Sequence, residues 1–305
     1  MSLLAKFSAG ADDRSARLAG IGLMLLAIFM FCMGDAIGKF MVATYSVGQL
    51  LLLRACAAFA VLSPIIWRQR AQFRNLERPR LQLLRVLLSS LEVAAFFLAT
   101  VYLPLADVTT YYLACPIFVT ALSAIVLRER VGWRRWSAIL IGFCGVLIAL
   151  RPSTQTISWP ALIALGGSFS FSVLLLITRS LRATPDVVMA SAQFAGTFLL
   201  GAVMAPFGWV TPDAGSLALF ALAGCIAVGA LLCVNRSLKL APASVVVPYQ
   251  YSMIVWAVLF GFAVFGDVPS PATIAGAAII IGAGLYIFLR ERSMGREDTG
   301  VSAPG

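Results

Sequence analysis

Lysine and arginine concentrate on alternate connections between ten long apolar segments, and that alternation dictates a chain threaded back and forth through a bilayer. The segments cover residues 18–42, 47–67, 83–102, 108–127, 133–150, 161–178, 187–206, 217–238, 244–265 and 271–289. Each is about 18–25 residues, enough to cross roughly 30 Å of hydrocarbon at 1.5 Å rise per residue. One face receives Lys6, Arg14 and Arg17 from the N-terminal stretch and Arg68, Arg70, Arg74, Arg78, Arg80 and Arg85 from the second connection. The same face takes Arg128, Arg130, Arg134 and Arg135 from the fourth, Arg179 and Arg182 from the sixth, and Arg236 and Lys239 from the eighth. Arg290, Arg292 and Arg296 in the tail complete it. The other face keeps only Arg151, while Lys39 and Arg54 lie inside segments. Cytoplasmic loops accumulate Lys and Arg. The expectation is therefore an all-α, multi-pass bacterial inner-membrane protein with ten transmembrane helices and both termini cytoplasmic.

Composition agrees, since 61% hydrophobic residues exceeds the half or so of a soluble domain. The net charge of +10 could suggest a nucleic-acid partner, but the arginines flank spans in short clusters, where they fix topology and meet anionic headgroups. The expected partners are a small molecule and the lipid bilayer, and no nucleic acid. Cys32, Cys56, Cys115, Cys144, Cys225 and Cys233 all lie in apolar segments without C-x-x-C spacing, and the chain has no histidine. Neither a metal nor another cofactor is expected. The first apolar run is too long for a cleavable signal and passes Asp35 and Lys39 without a small-residue cleavage site.

The chain divides at a Ser/Thr/Pro stretch, residues 152–160, expected to be a periplasmic linker between repeats 18–151 and 161–289. Residues 1–17 and 290–305 are expected to be a cytoplasmic N-terminal segment and tail. Weak self-similarity supports the division: at an offset of 137, Leu103, Val108, Val131, Ala138 and Gly145 fall on Leu240, Val245, Val268, Ala275 and Gly282. Parity carries more weight. A repeat of five spans must enter the membrane inverted the second time, and inverted repeats place a substrate site near the midplane. Gly34-x-x-x-Gly38 in the first segment, with Gly276, Gly282 and Gly284 in the tenth, permits close helix packing. Pro116 and Pro248 each interrupt a span and free the carbonyls of Tyr112 and Ser244. They are hinge candidates, or kinks that serve packing alone.

Four ionisable residues lie deep in spans: Asp35, Lys39, Arg54 and Glu92. Charge at depth costs about 2.5–3.5 kcal/mol per residue on insertion scales, so such groups pair or line a wet path. Asp35 and Arg54 each stand seven residues from the same surface on adjacent spans, about 10 Å deep, which suggests an ion pair. Lys39 shares a helix face with Asp35 but lies a turn nearer the surface and can snorkel outward. Glu92 lies about 15 Å deep, near the midplane, with no cation close by in its own span. It reads either as a proton-exchanging carboxyl or as a neutral acid hydrogen-bonded to a serine or carbonyl. Trp67, Trp133, Trp136, Trp159 and Trp209 mark span ends, as an interfacial belt would. Trp256 is mid-span, a helix face shared with Tyr249; Tyr111 and Tyr112 occupy the repeat-related region, Tyr112 falling on Tyr249 at the 137 offset. These aromatics suggest a central pocket, against simple lipid-facing packing.

The run YLPLADVTTYYLACPIFVTALSAIVLRERVGWRRWSAILIGFCGVLIALRP, a weaker counterpart ending the second half, and the ten-span plan resemble the drug/metabolite transporter superfamily, and within it the EamA-type permeases. GDAIGKFMVATYSVGQLLLLR is similar to the opening of one bacterial branch, with Asp35, Lys39, Gln49 and Arg54 at its polar positions. The resemblance covers essentially the whole chain. It implies two inverted five-helix repeats around a central cavity, and a permease for amino-acid-like, nucleotide-related or vitamin-like solutes, many members being exporters. The second half departs from the pattern, with Gly266 and adjacent Asp267 where Glu129 stands in the first. A membrane-embedded enzyme would want a histidine, a paired carboxylate motif or a metal set, and none is visible. A receptor or assembly factor would carry a long loop or soluble domain. No phosphate-binding loop is present for ATP-driven pumping, so accumulation would draw on exchange or an ion gradient, with Glu92 the candidate coupling residue.

The topology predicts that a cysteine at position 153, on a cysteine-free background, is labelled by an impermeant reagent from outside, and one at position 72 is not. The reverse labelling pattern would overturn both the orientation and the inversion of the repeats.

Overall fold

Apolar segments of this length have to satisfy their own backbone hydrogen bonds in lipid, and helices do so locally. The structure, a computed structural model, describes residues 3–73, 78–126, 133–150, 158–181, 183–241 and 246–297, and these contain helices and no strand. The first half comprises α1 (Leu3–Val42), α2 (Val47–Arg68), α3 (Pro79–Tyr102), α4 (Leu105–Tyr112), α5 (Cys115–Val126) and α6 (Trp133–Leu150). The second comprises α7 (Trp159–Ser180), α8 (Asp186–Met204), α9 (Ala214–Leu240), a 3-10 helix (Val247–Ser252), α10 (Met253–Phe265) and α11 (Pro271–Glu297).

Local chemistry sets several boundaries. The Ser46 hydroxyl accepts from the Gln49 amide at 3.2 Å and starts α2, while Asp213 accepts from the Ser216 amide at 2.9 Å and starts α9. Gly266, at φ 68°, ends α10 in the left-handed conformation that glycine adopts without strain.

Ten uninterrupted spans are not what the described residues form. Six helices are long and apolar enough to cross a membrane: 15–42 within α1, α2, α3, 159–178 within α7, α8 and α9. The fourth segment is broken into α4 and α5 at Leu113–Ala114, and the ninth into the 3-10 helix and α10. Proline explains the positions of the breaks. Pro116 is the second residue of α5 and Pro248 the second of the 3-10 helix, where a missing N–H costs least. Residues 3–17 and 290–297 continue α1 and α11 as helix, and the expected linker falls mostly on 151–157, outside the described residues.

Helix packing follows an exchange rule. Let each of the ten segments be swapped with the one five places along. The α1–α9 contact (first with eighth) becomes α7–α3, and α2–α9 becomes α8–α3; both members of each pair are present. The contacts α2–α8 and α6–α11 map onto themselves and are also present. This is the pattern two repeats related by a two-fold exchange require. Around the bundle, Leu25, Leu199, Val203, Leu217, Val255 and Phe262 are exposed, an apolar surface suited to lipid. Trp67 and Trp159 are exposed at helix ends, and Trp209 is exposed on the connection between α8 and α9.

The α2–α8 crossing depends on glycine. A Cβ at Gly201 would lie 2.5 Å from the Leu52 amide nitrogen, and one at Gly48 would lie 2.4 Å from Met204 Cβ. Backbone meets backbone there, with nothing flexible to yield. Gly201→Ala should therefore lower the thermal unfolding midpoint in detergent, by a destabilisation of about 1–3 kcal/mol from overpacking. Gly166→Ala, facing open space, should leave it unchanged or raise it. Equal effects at the two positions would show that the crossing is not that close.

Candidate functional site

A cavity opens between the two halves, walled by α1, α2, α3, α7, α8 and α9 and by the two broken segments. Asp35, Arg54, Glu92 and Tyr112 line it, each contributed by a different segment. The Tyr112 hydroxyl donates to the Glu92 carbonyl oxygen at 3.2 Å, and its ring meets Phe96 edge-on at 5.1 Å. The break after Tyr112 is itself sealed by α7. The Ser168 hydroxyl donates to the Tyr112 carbonyl at 3.5 Å, and that of Ser172 lies 3.2 Å from the Cys115 carbonyl. The freed carbonyl anticipated from Pro116 thus finds a protein partner, as a dry interior demands.

The electrostatics differ from the sequence expectation. Arg54 interacts through space with both Asp35 and Glu92, yet no contact ion pair joins Asp35 to Arg54 among the described residues. The guanidinium instead lies 5.4 Å from the centre of the Phe97 ring, and its Nε has no hydrogen-bond partner. Arg54 is therefore shared between two carboxyls rather than committed to one. Lys39 reaches outward, but to a partner. Its ammonium meets Asp267 Oδ2 at 2.5 Å and lies 4.5 Å from the Phe265 ring, a paired and aromatic setting that replaces water.

That ion pair belongs to a set of contacts closing the end of the bundle away from the arginine clusters. Gln49, fully buried, bonds Val210 twice, Nε2 to the carbonyl at 2.6 Å and the amide to Oε1 at 3.1 Å. The Thr273 hydroxyl donates to Asp107 at 2.6 Å. All three contacts link one half to the other.

At the arginine-rich end, Arg85 projects into the cavity wall with 1% of its surface exposed. Nε donates to Thr178 Oγ1 at 3.0 Å, Nη1 to the Met189 carbonyl at 3.0 Å and Nη2 to Gln193 Oε1 at 3.1 Å. Asn235, Gln193 and Gln250 also line the cavity. Sequence reasoning passed over these groups. The charge rule counts Arg85 among the loop cations, although it stands inside the third apolar segment, and that position is the signal that marks it.

The remaining expected site residues lie nearby without lining the cavity. Tyr111 is buried in α4. Trp256 packs edge-on against Phe29 at 4.9 Å and stacks with Phe260 at 6.4 Å, in a cluster that Tyr249 adjoins. The hinge candidates Pro116 and Pro248 fall at the two helix breaks, whose neighbours Leu113, Gln250 and Met253 line the cavity.

Comparison with known proteins agrees with this architecture. The chain is 25% identical to an S-adenosylmethionine uptake transporter of Rickettsia prowazekii, over 92% of this chain and 96% of that one. It is 29% identical to a riboflavin transporter of Rhizobium johnstonii, over 77% and 78% respectively. A solved crystal structure superposes with a TM-score of 0.66 at 18% identity, over 92% of this chain and 99% of the other, a likeness of fold. The EamA-like transporter family matches twice, over residues 18–151 and 158–289, nearly the whole length, and the chain belongs to that family.

Proposed function

We propose that the protein is a secondary permease that carries a small organic metabolite across the bacterial inner membrane by alternating access, with the charged cavity between its halves as the site. The observation that carries this reading is the trio Asp35, Arg54 and Glu92, held within one cavity between two packed repeats. Charges are retained at such depth where a solute or ion meets them. The two halves act as inverted repeats, and the contacts Lys39–Asp267, Gln49–Val210 and Thr273–Asp107 close one end while the other admits solute. The breaks at Pro116 and Pro248 are the hinges. The relatives named for uptake support import, in place of the export suggested by the wider superfamily.

Coupling follows from counting charge. One guanidinium offsets one carboxylate of the trio, which leaves the other to be balanced by a proton or by cationic solute. Glu92, bridged to Tyr112 through its backbone, is the residue we assign to proton exchange.

The test uses purified protein in proteoliposomes, with riboflavin, S-adenosylmethionine and an amino-acid mixture as probes. A carried probe should accumulate when a proton gradient is imposed. Glu92→Gln keeps shape and hydrogen bonding, so it should preserve binding and exchange while abolishing accumulation driven by that gradient. An undiminished response to the gradient would exclude Glu92 as the coupling residue.

A further inference from the structure

Resting on the permease reading, we propose that Arg85 and Asn235 form a subsite at the arginine-rich end of the cavity for an oxyanion of the carried solute, a carboxylate or a phosphate. Arg85 is a fully buried cation whose acceptors are all neutral: a hydroxyl, a carbonyl and an amide oxygen. Among the described residues the ion pairs are Lys39–Asp267 and Lys239–Asp186, so no carboxylate meets this guanidinium. A buried charge without a counter-ion is costly, and burying it in a cavity wall reserves it for an anion. Its three bonds use one N–H on each nitrogen, which leaves a second N–H on Nη1 and on Nη2, the fork that suits a carboxylate or phosphate.

Asn235 supplies the second, independent observation. It is 1% exposed, it lines the same cavity, and neither its Oδ1 nor its Nδ2 has a hydrogen-bond partner. It also lies at the depth of Arg85. Lys239 Nζ meets Asp186 Oδ1 at 2.6 Å, which sets the end of α9 level with the start of α8. Asn235 is one turn inward from Lys239, and Met189, whose carbonyl accepts from Arg85, is about one turn inward from Asp186. Phe194, Leu231 and Val234 also line the cavity, and apolar lining strengthens a charge-assisted bond made beside it.

The subsite also has a fixed distance from the midplane carboxyls. Arg85 and Glu92 are seven residues apart on α3, hence on one face and about 10 Å apart along its axis. The cavity is positive at one end and carries excess carboxylate at its centre. A solute bound along it presents its oxyanion to Arg85 and its remaining body to the aromatic middle.

The test loads proteoliposomes from an aqueous extract of bacterial cells and identifies by mass spectrometry what the wild type carries. The carried compounds should bear a carboxylate or phosphate, and their entry should fall at least about tenfold in Arg85→Gln. Arg85→Gln also breaks three contacts to two helices, α7 and α8, so a second measurement uses the wild type alone. There the carboxamide or the dephosphorylated form of the carried compound should compete at least about tenfold less well than the parent, and which of the two loses potency tells carboxylate from phosphate. Asn235→Leu should weaken binding while leaving the thermal midpoint unchanged or raised, because it removes an orphaned polar group. Carriage of a solute without an oxyanion, or equal competition by the neutralised form, would sink the subsite and leave the permease reading standing. Carriage of nothing would sink both.

Discussion

Every polar group in this bundle has to be answered by another protein group or by whatever enters the cavity, because hydrocarbon answers none. The structure meets that demand in two distinct ways. At two structural junctions polar atoms are matched: α7 hydroxyls face the carbonyls at the α4–α5 break, and Gln49 takes both a donor and an acceptor from Val210. Along the cavity the matching stops short. Arg54 Nε and both side-chain atoms of Asn235 have no partner, and Arg85 has no anion among the described residues.

Pairing distinguishes two cations that residue type does not. Lys39 and Arg54 are both cations inside apolar segments, yet Lys39 is fully engaged by Asp267 and Phe265 while Arg54 is spread between two carboxyls. A contact pair fixes one geometry. A shared charge in a cavity leaves room for a solute or proton to redistribute it.

Much of the architecture was legible in the sequence because it rests on local quantities. Segment length and the two prolines are each read from a few neighbouring residues, and they anticipated the six long apolar helices and both helix breaks. The deep residues Asp35, Arg54, Glu92 and Tyr112 were legible for the same reason, being polar or aromatic within apolar runs. What failed was partner assignment. Lys39 reads from sequence as snorkelling outward without a partner, whereas it meets Asp267, 228 residues away and beside the glycine that ends α10. Asp35 and Arg54 were joined on equal depth alone, but depth fixes one coordinate and leaves the rotation of each helix free. Arg85 was absorbed into the charge rule for loops, which weighs a cation by the connection it adjoins and not by the face it presents. A lone asparagine such as Asn235 carries no period or spacing for a reader to detect.

The exchange pattern of the helix contacts has a further mechanical consequence. In the proposed cycle, contacts that map onto themselves, such as α2–α8 and α6–α11, persist while the halves rock. The α2–α8 crossing is also the one that brings Gly48 and Gly201 into backbone contact, a junction too tight to slide and suited to pivoting. In the same proposed cycle, contacts away from the axis relating the halves, such as Lys39–Asp267, break when the closed end opens. Their strength therefore sets the balance between the two states, while the unmatched groups of the cavity set what the solute contributes. In the proposed cycle the three contacts at the closed end yield when solute answers Arg54, Arg85 and Asn235 together, since only a ligand that binds the two states differently can shift their populations.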